Sequence, residues 1–458
     1  MADNTIEALR VLQVGIEAVK AVGTLTLAAH PTAMDTHTIG ATVYTWVASG
    51  ANEEGEINIG ADLAAAKVNI VAAINGTDGW NSVNPYATAG AFVSNDLPIT
   101  AKIPGTGGNA IVFSETFTSG SNIMNGSGFL GGTTPGSMAR GTPVAATARL
   151  AVEQLEWGDE DENQYKPRVA NGVLVRNRGP SVAVQHGTRF TLPEQAAIWE
   201  QLPLWFSMLF GPPVLSGAAG GPYTFTWTAD PDANPNPFAV TLQRRFSNGL
   251  GNNVDERASY AMLDDFGLSF AVNEHLRLNA AGFARRFNSS AITGGLTLPD
   301  FEVLVSALST IYIDDTWGGV GGTLLSSQVI GWNLNLLPGI FPRHTAEGRT
   351  DLDFTKHQLN GDNRGMDLEV TCLLDPTTYA AEQPKANGGD FRAVRIRVTG
   401  ADSRQLDIDM AMRHANTGLW APGVDEGQDT VTFMLEDSTD FTNLIEITLT
   451  LPETYIVA

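Results

Sequence analysis

The stretch from Phe391 to His414, FRAVRIRVTGADSRQLDIDMAMRH, alternates apolar and polar residues on both sides of the short polar segment GADSR. A period of two places successive side chains on opposite faces of a strand. The pattern therefore predicts an antiparallel hairpin with one apolar face and one charged face. Such a hairpin constrains the fold strongly, because its apolar face must be covered by other elements of the protein.

The charged face of this predicted hairpin carries two candidate cross-strand ion pairs. If GADSR is the loop, Arg397 faces Asp407 and Arg395 faces Asp409. Opposite charges that meet across strands stabilise a sheet by roughly 0.2–1 kcal/mol each and help to fix the register. We expect these pairs on a solvent-exposed face.

The composition extends the β prediction to the whole chain. Its 458 residues include 48 Gly and 23 Pro, with 43% hydrophobic and 17% charged residues, as expected of a turn-rich globular protein. The length is sufficient for two or three domains. The apolar run at 196–210 is too short and too polar to span a bilayer, and we interpret it as a buried helix.

Residues 38–135 have a pattern of their own and predict a small inserted α+β module. Strand-like segments surround ADLAAAKVNIVAAING, which has the periodicity of a helix, with Asp62 suited to the N-cap and Gly76 to the position after the C-cap. A Gly/Ser/Thr-rich linker closes the segment. The chain then divides into 1–37 with 136–300, the insert, and 301–458.

The net charge of −23 arises from 50 acidic and 27 basic residues, of which only six are lysines. Such a chain does not suit nucleic-acid binding through phosphate contacts, which need clustered Lys and Arg. The single cysteine, Cys372, excludes an intrachain disulfide and a zinc site built on cysteines, and its alternating context predicts a core position. The first residues lack the pattern of a secretory signal, so we expect a soluble protein made in the cytoplasm.

The most acidic stretch, EWGDEDENQY, contains five candidate carboxylates, namely Glu156, Asp159, Glu160, Asp161 and Glu162. Three interpretations are a metal cage, a catalytic carboxylate pair and a solvated surface. Asp159 and Asp161 have the spacing of a calcium loop, but Gln164 occupies the position at which such a loop needs Gly. Consecutive acids also lack the contrasting environments that acid–base catalysis requires. We therefore expect a surface loop.

Sequence motifs for catalysis and cofactor binding are also missing. The chain has no phosphate-binding GxxxxGK[ST], no HExxH and no GxSxG, and its Gly-rich segments lack the spacing of a dinucleotide loop. These observations predict no enzyme activity, no cofactor and no metal. An acidic β protein of this kind suggests a component of an assembly.

Several segments resemble major tail tube proteins of long-tailed phages. LQVGIEAVKAVGTLTLAA is similar to the opening of those proteins, and ARLAVEQLEWGDEDENQYKPRVANG resembles their first long hairpin. TLPEQAAIWEQLPLWFSML resembles the helix that follows. FRAVRIRVTGADSRQLDIDMAMRH, followed by DEGQDTVTFML, resembles their closing strands.

The resemblance implies tail-tube-type β-sandwich domains with flanking helices, which join their strands into rings that stack into a DNA-conducting tube. The length implies a duplicated tube domain, with 1–37 and 136–300 as the first copy, 301–458 as the second, and 38–135 as an external module. Three such chains would make a ring. The implied partners are further copies of the chain and the tape measure, terminator and baseplate proteins of a virion tail, with no membrane partner.

An acidic, lysine-poor wall would let DNA pass without binding it, because few cations are present to contact phosphates. The acidic row would then lie at the lumen or between rings. Two alternatives stay open from the sequence. One is another virion structural protein, such as a tail terminator, baseplate hub or decoration protein, and the other is a glycan-binding or adhesive β protein.

Overall fold

A computed structural model of the chain describes residues 8–132, 143–159, 162–165, 181–217, 219–229, 237–247, 253–305, 309–326, 329–343, 353–356, 364–372, 376–415, 429–436, 441 and 443–452. Strands predominate among these residues, and the predicted mainly β fold class is confirmed.

The elements fall into three consecutive groups. The first contains β1 Ala8–Ile16, β2 Lys20–Leu27, β3 Thr36–Ile39, β4 Thr42–Val47, β5 Glu56–Asn58, α1 Leu63–Ile74, β6 Ala87–Ala89, β7 Asp96–Pro104, β8 Phe113–Glu115 and β9 Asn122–Leu130. The second contains β10 Ala148–Leu150, β11 Glu156–Asp159, β12 Glu162–Tyr165, β13 Ser181–Gln185, β14 Thr188–Ala196, α2 Leu202–Phe210, β15 Val214–Ser216, β16 Tyr223–Ala229, β17 Val240–Ser247, β18 Asn253–Ala271, β19 Arg277–Ala284 and β20 Asn288–Ser289. The third contains β21 Ser309–Asp314, β22 Val329–Pro338, β23 Ile340–Arg343, β24 Asp353–Lys356, β25 Arg364–Cys372, α3 Pro376–Gly388, β26 Phe391–Thr399, β27 Gln405–His414, β28 Asp429–Leu435 and β29 Ile445–Leu451.

One order of six antiparallel strands occurs twice in the main sheet. In the first half the order is β1–β17–β18–β19–β14–β11. In the second half it is β21–β26–β27–β28–β25–β22. Each half also has one helix at the equivalent position, since α2 lies between β14 and β17 and α3 between β25 and β26. The two halves therefore repeat one topology.

The halves join through two strand pairs. β18 pairs with β22, with Phe266 opposite Leu336 and Phe270 opposite Trp332. β16 pairs with β29 along its whole length. A single hydrophobic core, which runs from Leu12 to Leu451, contains residues of both halves. The repeated units are thus packed together and do not each have a core of their own.

Helix α2 lies in this shared core. Its side chains are buried on all sides except at Phe210, and Phe206 packs against Trp227 and Phe266 at ring-centre distances of 5.5 and 5.8 Å. The helix predicted over 196–210 begins only at Leu202, and Ala196 is instead the last residue of β14. Gly211, at a φ of 97°, ends the helix in a conformation that glycine favours.

The inserted segment has two four-stranded sheets and a core of its own. The sheet orders are β6–β7–β2–β9 and β5–β4–β3–β8, and the core contains residues from Ala21 to Phe129. β2 pairs with both β7 and β9, so the unit includes a strand that precedes the boundary suggested at residue 38. Helix α1 begins as predicted, with the Asp62 carboxylate accepting the Ala65 N–H at 2.8 Å, and Gly76 follows its end at a φ of 65°.

Candidate functional site

The charged face of the β26–β27 hairpin has the register that the alternation predicts. Arg395 lies opposite Asp409, and Arg397 lies opposite Asp407. Arg395 donates through Nε and Nη2 to the two carboxylate oxygens of Asp409 at 2.5 and 2.6 Å, and Arg397 contacts Asp407 in the same way at 2.7 and 2.8 Å. Such two-bond contacts fix both the distance and the plane of the partners.

This face is only partly exposed, contrary to the expectation from the sequence, with the Arg395 and Arg397 side chains 18% and 28% exposed. Asp407 and Asp409 are only 6% and 4% exposed. The segment that follows β21 packs on their partner Arg395, since a Cβ on Gly321 would lie 2.7 Å from Arg395 Nη1. Residues of the same segment also pack with Phe441 against Ala393 and Ala411, which continue the charged face. The pairs thus stabilise a covered part of the sheet.

The acidic row is not the single loop that the sequence suggested. Glu156 lies opposite Thr191 in the β11–β14 pair, and Glu162 lies opposite Gln185 in the β12–β13 pair. The two pairs therefore continue one ribbon, in which residues 156–159 and 162–165 are paired along one side of each strand. Glu160 and Asp161 lie outside the described residues.

Trp157 holds β11, the first strand of this ribbon, in place through three contacts. Its ring stacks on Phe287 at 5.8 Å, the guanidinium of Arg244 lies 4.2 Å from the ring centre, and its Nε1 donates to Glu256 at 2.8 Å. Glu156, its neighbour in the strand, points to solvent and is exposed. The ribbon therefore places the exposed carboxylate of Glu156 beside a fixed base.

A polar groove of about 810 Å³ crosses the joint between the two halves. Its lining comes from the outer face of five paired strands, β14, β19, β18, β22 and β25, and includes Ser269, Asn279, Asn333, Asn335, Glu369 and Thr371. The register places Ser269, Asn333 and Glu369 in one row across β18, β22 and β25. The alternate residues Leu268, Leu334 and Leu368 are fully buried on the opposite face.

The groove is net acidic. Arg277 contacts Glu274 at 3.0 Å and Glu194 at 3.5 Å, while Ser269 donates to Glu194 at 3.1 Å. Glu369 adds a further carboxylate, and none of the described residues that line the groove is a lysine. Phe270 and Trp332 belong to the lining but are only 9% and 3% exposed, so neither ring offers a platform for stacking. The groove can admit a polar or positively charged chain, and it would repel an anion.

The groove residues were not singled out from the sequence. A pattern that could have identified them is GWNLNLLP, where Asn333 and Asn335 alternate with Trp332, Leu334 and Leu336. That alternation predicts a strand with an amide face, although it does not indicate which strands adjoin it. The groove exists only because β18 of the first half meets β22 of the second half.

Other expectations concern metal and membrane sites. Among the described residues, no group of three or more His, Cys, Asp or Glu side chains is arranged to hold a metal ion. Within the same part of the chain, no helix has both the length and the apolar character needed to cross a membrane. Cys372 is fully buried in the shared core, as its alternation predicted.

No protein-family model matches this chain, and no curated protein matches it.

Proposed function

We propose that this protein is a structural subunit of a phage-type virion tail, which forms trimeric rings that stack into the tail tube. In this proposal each chain supplies two tube-domain repeats, the unit around residues 20–132 lies on the outside, and DNA passes through without specific binding. The partners are other copies of the chain and the tape measure, terminator and baseplate proteins of the tail.

The observation that carries the proposal is the repeated strand order. Within one chain, the first repeat joins the second when β18 pairs with the outer edge of β22. The counterpart of β22 in the first repeat is β11. Among the described residues β11 has a strand partner on one side only, namely β14. The other edge of β11 is therefore available for the same kind of joint.

The strand of a neighbouring copy that takes this edge must itself have an unpaired side. β27, the counterpart of β18 in the second repeat, is excluded, because β26 pairs along one side of it and β28 and β29 along the other. We therefore expect another unpaired strand edge of a neighbouring copy to approach β11. Repeated head-to-tail joints of this kind close into a ring when the rotation between units allows it. Closure would also remove an exposed sheet edge, which is a hazard for a protein at high copy number.

The polar groove supports a channel role for the sheet that crosses the joint. One face of this sheet packs on the shared core, and the other carries the amides, hydroxyls and carboxylates of the groove. A ring built by repeating the joint would present this second face along one continuous wall. Carboxylates without lysine would keep duplex DNA, which carries one charge per ~1.7 Å, from binding to that wall.

Electron microscopy and hydrogen exchange test the proposal together. Negative-stain images of the purified protein should contain rings or tubes, and native mass spectrometry should give multiples of three chains. On assembly, amides of β11 that point away from β14 should become protected from exchange.

The matched control is the β18–β22 joint, whose amides should be equally protected before and after assembly. A protein that remains monomeric at high concentration would refute the proposal. Rings that form while the β11 amides exchange at the monomer rate would refute the predicted joint.

A further inference from the structure

Two lysines lie side by side on the outer face of the inserted unit. Lys20 is in β2 and Lys102 is in the adjacent strand β7, and both side chains alternate with buried residues, so that they point away from the core. Both are half-buried. In a chain with 50 acidic residues and only six lysines, two adjacent lysines are an unusual concentration of positive charge.

The other lysines with described side chains are held by oxygen partners. Lys67 donates to the Ser94 carbonyl and to Asn95 Oδ1, both at 2.8 Å. Lys385 contacts Asp315 at 2.7 Å and Glu382 at 3.3 Å. Within the described part of the chain, the ammonium groups of Lys20 and Lys102 have no such partner.

Leaving two cations together in a half-buried position is unfavourable. Burial, together with the charge of Lys20, lowers the pKa of Lys102 to about 8, and burial lowers the pKa of Lys20 as well. Anionic partners would relieve both effects, since an opposite charge favours the protonated form. Perturbed groups of this kind are frequent at functional sites.

The surroundings of the two lysines indicate a protein partner. Val22, two residues after Lys20 on the same face of β2, is 45% exposed, and Leu130 lies opposite Val22 on β9 and is 72% exposed. We call Lys20, Lys102, Val22 and Leu130 the lysine patch. Exposed apolar side chains beside charges are typical of interaction surfaces, whereas a small free anion would gain nothing from them.

We propose that the lysine patch binds exposed carboxylates of a second copy of this chain. The argument for this partner is charge complementarity, because the chain carries a net charge of −23 and its acidic ribbon presents Glu153 and Glu156 to solvent. Lys20 also follows the end of β1 by only four residues, so the patch lies at the root of the unit, close to the sheet that would form the ring. The contact rests on the proposed ring assembly and would add a second, salt-sensitive link between copies.

The first test uses a peptide of residues 153–165 as the probe and needs no assembly. We expect it to bind the full-length protein at low salt. Lys102→Met should weaken binding by about tenfold, the effect of losing roughly 1.4 kcal/mol. Lys67→Met, which removes one lysine from the same unit, should change the affinity by less than about twofold. Binding should also weaken above pH 8, as Lys102 loses its proton.

The second test measures ring formation of the same two variants against salt concentration. Lys102→Met should need lower salt or more protein to assemble, and Lys67→Met should match the wild type. If the wild type forms no rings but binds the peptide through Lys102, the ring proposal fails and the patch stands. If both variants behave like the wild type in both tests, or if inorganic phosphate binds as tightly as the peptide, the proposed patch is overturned.

Discussion

The covered ion pairs of the β26–β27 hairpin allow a quantitative prediction. Replacing Asp409 by Ala removes two short hydrogen bonds to Arg395 from a position that is only 4% exposed. Removing one partner of a buried pair costs about 3–5 kcal/mol, mainly because the other charge is left uncompensated. Arg395 keeps some access to water, with 18% of its side chain exposed, and retains Asp407 at 3.9 Å. We therefore expect a loss at or below the lower end of that range, about 2–3 kcal/mol.

A matched surface pair serves as the control. Arg277 and Glu274 have the same chemistry at 3.0 Å, but their side chains are 41% and 47% exposed. Exposed pairs contribute about 0–1 kcal/mol, so Glu274→Ala should have little effect. The double variant Arg395→Met, Asp409→Leu should recover part of the loss of Asp409→Ala, because it leaves no buried charge unpaired.

Native-state hydrogen exchange of the β26 and β27 amides is the appropriate assay, since it reports the local opening free energy without assuming that the whole chain unfolds in one step. Spectra of the unassembled protein would be compared at constant pH. Equal losses for Asp409→Ala and Glu274→Ala, or a double variant no more stable than the single one, would refute the reasoning about burial.

Two further predictions concern the shared core. Burial raises the pKa of Glu17, although hydrogen bonds from Thr241 Oγ1 and the Tyr260 N–H act in the opposite direction. The folded state therefore holds the Glu17 proton more tightly than the unfolded state does. The wild type should thus lose stability relative to Glu17→Gln as the pH rises above 4.5 and through the folded pKa. Urea midpoints of both proteins across pH 4–8 would measure this, and a constant difference would contradict it. Gly282→Ala should cost about 1–3 kcal/mol, because its Cβ would meet the Met262 carbonyl oxygen and lie 2.5 Å from Phe190 Cζ. Gly294→Ala, where nothing lies within 4 Å, is the control, and equal melting temperatures of the two variants would count against this packing argument.

Local patterns were sufficient where the interacting residues are close in sequence. The alternation around GADSR predicted that Arg395 faces Asp409 and Arg397 faces Asp407, because a short loop leaves few possible registers for two amphipathic strands. Asp62 at the start of α1 and the core position of Cys372 followed from capping and periodicity in the same way. Helix α3 had no such signal, since it contains Pro384 and is fixed by the buried contact of Glu382 with Arg392 at 2.7 Å.

The sequence by itself thus determined the β character, the register of the β26–β27 hairpin and the acidic, lysine-poor composition. Only the tertiary structure decided that Asp407 and Asp409 are buried and that a distant segment packs on Arg395. It also decided that β18 meets β22 to form the polar groove, and that Lys20 lies beside Lys102. The physical reason is that a residue pattern specifies which face of a strand is apolar, while the partner of that strand depends on packing between segments far apart in the chain.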